Sequence, residues 1–174
     1  QSLSKSYILS VIDNLKTLYN SHIENDLEHL VEDIHAYKKV AAFGYMQSEN
    51  VALNLQYDLQ TNGKILFTCI KFIDQVDYIN NADEETLIII FSESGTYFDR
   101  VFQRTKPFKN LKMKPKIYMI TSNFSISLPY IDAYVRYHSR NDFASHPYPL
   151  IIISDLICVQ YTKILQEKNN KTAL

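Results

Sequence analysis

The stretch from Thr86 to Thr96 reads TLIIIFSESGT. Leu87, Ile88, Ile89, Ile90 and Phe91 form an unbroken apolar run with no polar alternation, the pattern of a parallel strand covered on both faces. At its carboxyl end stand Ser92 and Ser94, then Gly95, one of only three glycines in the chain, and Thr96. Hydroxyls in that place donate to phosphate oxygens, and Gly95 permits close backbone approach. The segment Thr96 to Arg104 is expected to be a helix whose first N–H groups point at the same anion. The same residues also suit a Ser/Thr-rich helix cap that binds nothing. On this stretch alone both readings stand.

Outward from it, strands and helices alternate. Ile8, Val11, Ile12, Leu15 and Leu18 recur at helical spacing within Lys5 to Tyr19. Leu27, Leu30, Val31 and Ile34 repeat the pattern after an Asn25-Asp26 cap. Lys39 to Phe43 is a short apolar strand ending at Gly44, and Ser48 to Gln60 follows as a helix closed by Asn62-Gly63. Ile65 to Cys69 is expected as a second strand and Asp74 to Asn81 as a short helix. Ile117 to Ile120 and Ala133 to Tyr137 complete five strands, and Leu150 to Gln166 is a long C-terminal helix. Residues 167–174 are expected to fray. Solid apolar strands alternating with helices predict a parallel sheet wrapped by helices, with ligands beyond the strands' carboxyl ends near a topological switch point. Three segments reach that edge with small polar residues: Gly44 to Ser48, Ser92 to Thr96, and Thr121-Ser122-Asn123.

The 174 residues suit one domain, and 46% of them are apolar, enough for one sizeable core. Eighteen basic residues nearly cancel nineteen acidic ones, so the chain itself has no electrostatic bias toward nucleic acid or an anionic membrane. Cys69 and Cys158 lie in apolar stretches without CxxC or Cys/His spacing. Buried thiols in a reducing cytoplasm are expected, with no disulfide and no metal site. No unbroken apolar run approaches the roughly eighteen residues of a membrane span, and the first residues lack a signal-peptide pattern. A soluble cytoplasmic protein is the expectation.

The segments FGYMQSENVA (Phe43 to Ala52), IIFSESGT (Ile89 to Thr96), IYMITSN (Ile117 to Asn123) and LPYIDAYV (Leu128 to Val135) together resemble the sugar isomerase (SIS) domain. The resemblance covers nearly the whole chain. Within that superfamily the chain looks most like the C-terminal effector domain of RpiR-family transcriptional regulators. The two leading helices, Ser139-Arg140 and the Ser154-Asp155-Leu156 of the last helix fit that placement. The resemblance implies a single SIS domain over residues 1–174, with leading helices over 1–38 and a core over 39–166. The implied core is a three-layer α/β/α sandwich on a five-stranded parallel sheet, flavodoxin-like. A homo-oligomer, dimer or tetramer, and a phosphorylated sugar effector are implied as partners, with no cofactor. DNA would be bound by an N-terminal helix-turn-helix domain outside this sequence, which begins at Gln1. The implied ligand residues are Ser48 in the first loop and Ser92, Ser94 and Gly95 in the second, with Gly44 and Thr96 beside them. Thr96 and then Tyr97 stand where the family places one variable residue and then Ser or Thr. Met46 stands where a second glycine is common.

Three roles are compatible with this resemblance: a phosphosugar-sensing regulatory domain without catalysis, a phosphosugar isomerase, or an SIS scaffold kept for dimerisation. An isomerase needs a carboxylate or histidine base at the sugar. Glu93 stands between two serines, where its charge repels a phosphate, and is expected to point away from the ligand. Of five histidines, His22, His29 and His35 lie among charged residues of the leading helices, whereas His138 and His146 fall nearer the pocket. Neither forms a metal-ligand pair. The sensor is the expected role.

Overall fold

The computed structural model describes residues 2–103, 105–108, 110–141 and 147–173. Two helices lead, α1 (Leu3–Tyr19) and α2 (Glu24–Ala36). There follow β1 (Lys39–Gly44), α3 (Ser48–Thr61), α4 (Phe72–Asn81), β2 (Thr86–Phe91), α5 (Tyr97–Val101), β3 (Lys116–Thr121), β4 (Ala133–Arg136) and α6 (Tyr148–Thr172). The four strands are parallel, in the order β1-β2-β3-β4.

Because successive strand side chains alternate between faces, the solid apolar strands feed two cores. Val40, Ala42, Leu87, Ile89, Phe91, Tyr118, Ile120 and Val135 face α2, α3 and α6. Ala41, Phe43, Ile88, Ile90, Ile117 and Met119 face α4 and α5. This is the expected three-layer α/β/α sandwich, with β2 buried along its whole length. Asn62 and Gly63 close α3 as the sequence implies: Gly63 sits at φ 75°, and the Lys64 N–H returns to the Leu59 carbonyl at 3.0 Å.

The sheet has four strands where five are expected. Ile65 to Cys69 lies in the fifth position, at the edge beyond β1, but pairs only through Phe67. Its N–H donates to the Val40 carbonyl and its carbonyl accepts from the Ala42 N–H, both at 2.9 Å. Ile65 is 83% exposed and Phe67 42% exposed, so the run has no second layer to hold it as a strand. Chain order still passes from β1 outward to this edge and back to β2. The topological switch point therefore falls between β1 and β2.

Further differences lie in the helices. The expected cap residues Asn25 and Asp26 fall inside the first turn of α2, whose N-cap is Ile23. The helix expected over Thr96 to Arg104 is only the short α5, and Arg104 lies outside the described residues. Helix α6 continues to Thr172 through the residues expected to fray, with Lys168 standing 3.6 Å from Glu32 of α2. By length and composition α6 is the one described helix that could cross a membrane. Its Leu150, Ile153, Ile157, Tyr161 and Ile164 are instead buried in the core shared with α2 and α3, as in the core helix of a globular protein.

Candidate functional site

The carboxyl ends of β1 and β2 open into a cleft of about 570 Å³. It is lined by Tyr45 to Ser48 of the first loop, Phe91 to Ser94 and Thr96 to Tyr97 of the second, and by Arg100 and Asn141. Ser48, Ser92, Ser94 and Thr96, far apart in sequence, thus meet at one cleft. Gly44 and Gly95, expected beside the ligand, stand instead behind the lining residues, in the two loops.

Gly44 is required by space. A Cβ there would lie 2.5 Å from the carbonyl carbon and oxygen of Ser48, because the first turn of α3 folds directly back over the end of β1. Two residues on, Met46 adopts φ 55°, the left-handed conformation that glycine takes without steric cost. The glycine that the resemblance implies for this position is thus matched here in backbone shape and not in residue type. Met46 is 60% exposed, so its side chain leaves toward solvent and does not seal the cleft. Ser48 opens α3 and is nearly buried.

The second loop is held from beneath. The Glu93 carbonyl accepts from the Ser122 N–H at 3.0 Å, the Ser122 hydroxyl at 2.9 Å and the Thr121 hydroxyl at 3.0 Å. Asn123 Nδ2 donates to the Ser94 carbonyl at 3.0 Å. Gly95 makes the turn at φ 78°. The Ser92 hydroxyl accepts from the Tyr97 N–H at 3.2 Å, so the capping role foreseen for this serine is real and coexists with its place at the cleft. Its own proton remains available to a ligand. The Ser94 and Thr96 hydroxyls lie 2.7 Å apart and hydrogen-bond to each other, so the pair keeps one proton for a ligand.

Tyr97 turns inward. Its side chain is buried, and its hydroxyl donates to Gln75 Oε1 at 2.7 Å. Gln75, on α4 and fully buried, donates in turn to the Gly44 carbonyl at 3.2 Å and the Cys69 carbonyl at 3.0 Å. Burial pushes the Tyr97 phenol far above its usual range, reinforced by Cys69 and Glu49 nearby. Burial likewise pushes the Cys69 thiol up to about 11, with Asp74 and Glu49 adding to the effect. The phenol and thiol beneath the cleft therefore stay neutral. Burial also raises the Glu49 carboxyl beside Ser48.

Glu93 is buried on the cleft wall, and its Oε1 accepts from the Ser139 hydroxyl at 2.9 Å. The same segment reaches α1, where buried Asn14 Oδ1 accepts from the Arg140 N–H at 3.0 Å. The Tyr137 hydroxyl is buried nearby, beside Glu93 and Ser122. Burial first, and then the Glu93 charge, raise its pKa well above the ordinary phenol value. His138 stacks on Phe124 at 4.7 Å. His146 lies outside the described residues. Among the described residues no three His, Cys, Asp or Glu side chains gather as a metal site requires.

Tyr45 lies in the Gly44 to Ser48 loop that the sequence places at this edge, whereas sequence reasoning missed Arg100, Gln75 and Asn141. Only Arg100 left a readable signal, standing four residues after Thr96 and so on the same helical face. The others reach the site through contacts between separate segments.

No protein-family model matches the chain, and no curated protein sequence matches it. Solved structures do. The sugar isomerase domain of an RpiR transcription factor from Sphaerobacter thermophilus aligns at TM-score 0.73 and 19% identity, over 98% of this chain and 99% of that one. An Escherichia coli CFT073 protein in complex with a sugar phosphate aligns at TM-score 0.77 and 16% identity, over 94% and 90%. The Vibrio vulnificus NanR protein, complexed with ManNAc-6P, aligns at TM-score 0.71 and 15% identity, over 99% of this chain and 67% of that one. A phosphoheptose isomerase from Francisella tularensis shares the architecture at TM-score 0.65. The chain has the SIS fold, as the sequence motifs lead one to expect. That fold is carried by regulators and isomerases alike.

Proposed function

We propose that this chain is the phosphosugar-sensing and oligomerisation domain of an RpiR-type bacterial transcription regulator, and that it is not a catalyst. The observation that carries the reading is the meeting of Ser48, Ser92, Ser94 and Thr96 at one cleft on the switch point between β1 and β2. Neutral hydroxyls at strand ends suit the terminal oxygens of a phosphate. Gly44 and Gly95 serve the site indirectly, by letting the two loops pack closely against Ser48 and against Ile126 and Asn123. The Escherichia coli and Vibrio vulnificus structures of the same fold, each holding a sugar phosphate, support this ligand class. The Glu93 carboxylate is engaged by Ser139, which favours a structural use over proton transfer from a sugar.

Association is supported by the outer face of α1, where Ile8 is 55% exposed, Leu9 46% and Ile12 41%. Ligand binding would shift the balance between two arrangements of subunits, provided its affinity for them differs. DNA would be contacted by a helix-turn-helix domain elsewhere in the parent protein.

A phosphosugar isomerase is the competing reading, favoured by Glu93 standing on the cleft wall. A thermal-shift screen against sugar phosphates tests the sensor. A ligand at 100 times its dissociation constant adds about 2.7 kcal/mol of stability, and Ser92→Ala with Ser94→Ala should abolish the shift. Isomerase turnover by the wild-type chain that is lost in Glu93→Gln would replace the sensor with the enzyme. No shift with any sugar phosphate would leave a dimerisation scaffold.

A further inference from the structure

Arg100 is the one Lys, Arg or His among the described residues lining the cleft. Its Nε donates to the Thr96 hydroxyl at 3.3 Å, and its guanidinium carbon stands 5.3 Å from the centroid of the Tyr45 ring. Tyr45 is itself stacked on Phe72, with ring centroids 5.1 Å apart. Thr96 belongs to the loop after β2 and Tyr45 to the loop after β1. The guanidinium therefore spans the cleft from one loop to the other, held by a hydroxyl and by an aromatic face.

That placement has a chemical consequence. The Thr96 oxygen that orients Arg100 is also 2.7 Å from the Ser94 hydroxyl. Ser94, Thr96 and Arg100 thus form one continuous hydrogen-bonded row that offers one hydroxyl proton and the terminal guanidinium N–H groups, and the fork of a guanidinium matches two oxygens of a phosphate. Tyr97 supplies nothing to that row, because its hydroxyl is committed to Gln75 below. Glu93, the acidic residue on the wall, is tied to Ser139.

We propose that Arg100 is the charge-reading residue of this cleft, selecting ligands with a terminal phosphomonoester over the same sugars without phosphate. The inference rests on the phosphosugar reading and deepens it. The hydroxyl row sets where the phosphate lies; Arg100 sets how strongly its charge is felt.

The experiment is calorimetric titration of the wild-type chain, Arg100→Gln, Arg100→Lys and Ser94→Ala at low and high salt. The probes are ManNAc-6P, a set of pentose and hexose monophosphates, the same sugars without phosphate, and inorganic phosphate. The wild type is expected to bind at least one phosphorylated probe, more weakly as salt rises, and to bind its unphosphorylated counterpart far less well. Arg100→Gln is expected to lose roughly ten- to a hundredfold in affinity and most of the salt dependence. Arg100→Lys should keep the salt dependence while losing part of the affinity, a result that a merely structural role would not give. It also carries the test if the glutamine variant does not fold. Ser94→Ala should weaken binding but leave the salt dependence intact. Binding by Arg100→Gln within about twofold of wild type, with unchanged salt dependence, would overturn the role of Arg100 while leaving the phosphosugar reading standing. Failure of the wild type to bind any phosphorylated probe would overturn that reading, and this inference with it.

Discussion

The Tyr97 hydroxyl donates to Gln75 Oε1 at 2.7 Å in the buried space beneath the cleft, while Gln75 Nε2 holds the Gly44 carbonyl at 3.2 Å. One side-chain pair thereby links the start of α5 to the end of β1, the two elements whose loops form the site. Removing the hydroxyl leaves the Gln75 oxygen without this donor in a place water does not reach. Tyr97→Phe is expected to cost about 1–3 kcal/mol, measured by urea unfolding, although it keeps nearly all the apolar area. An unchanged unfolding midpoint would show that Gln75 finds another donor.

Gly44 faces a different constraint, since its neighbour is backbone. A methyl at this position would lie 2.5 Å from the Ser48 carbonyl atoms, and α3 would have to move away from β1 to admit it. Gly44→Ala is expected to destabilise by roughly 1–3 kcal/mol, the usual range for overpacking. Because the displaced turn carries Ser48, ligand-induced thermal shifts should shrink as well. Retention of both stability and shift would place the constraint elsewhere.

How far such features were legible from the residues follows from where their causes lie. The run Leu87 to Phe91 is apolar without interruption, and β2 is the strand buried along its whole length. Ile65 to Cys69 reads nearly as well, yet only Phe67 pairs with the sheet. Pattern records that a segment is apolar, but not whether a second layer will cover it. Ser48, Ser92, Ser94 and Thr96 were legible because strand ends of a parallel sheet share one edge. Arg100 left only its spacing from Thr96 and Gln75 left nothing, since each acquires its role from a residue on another element, Tyr45 in one case and Tyr97 in the other.

Met46 holds a positive φ of 55°, a conformation that costs a residue with a side chain roughly 1–2 kcal/mol. Glycine removes that strain but loses about 0.5–1 kcal/mol in chain entropy on folding. With its side chain largely in solvent, Met46→Gly is expected to be neutral or to stabilise by up to about 1 kcal/mol. Guanidinium unfolding measures it. A clear loss would show that the methionine side chain makes contacts worth more than the backbone strain.

Asp58 on α3 and Asp155 on α6 share the amide of Asn54, whose Nδ2 lies 3.4 Å from one carboxylate and 3.0 Å from the other. Burial first, and then the charge of Asp155, raise the Asp58 carboxyl above its ordinary value. The folded chain therefore binds the Asp58 proton more tightly than the unfolded chain does. Stability from this group is present below its unfolded pKa and is lost as pH rises through the raised folded value, so at neutral pH the pair works against the contact between α3 and α6. Asp58→Asn is expected to raise the melting temperature at pH 7 and to reduce the change in stability between pH 7 and the carboxylate range. Asp58 is only partly buried, so solvent screening still reaches it and keeps the gain small. Thermal melts of the two proteins across that range decide the matter: equal melting temperatures at pH 7, with parallel pH profiles, would show that the carboxylates do not repel each other in solution.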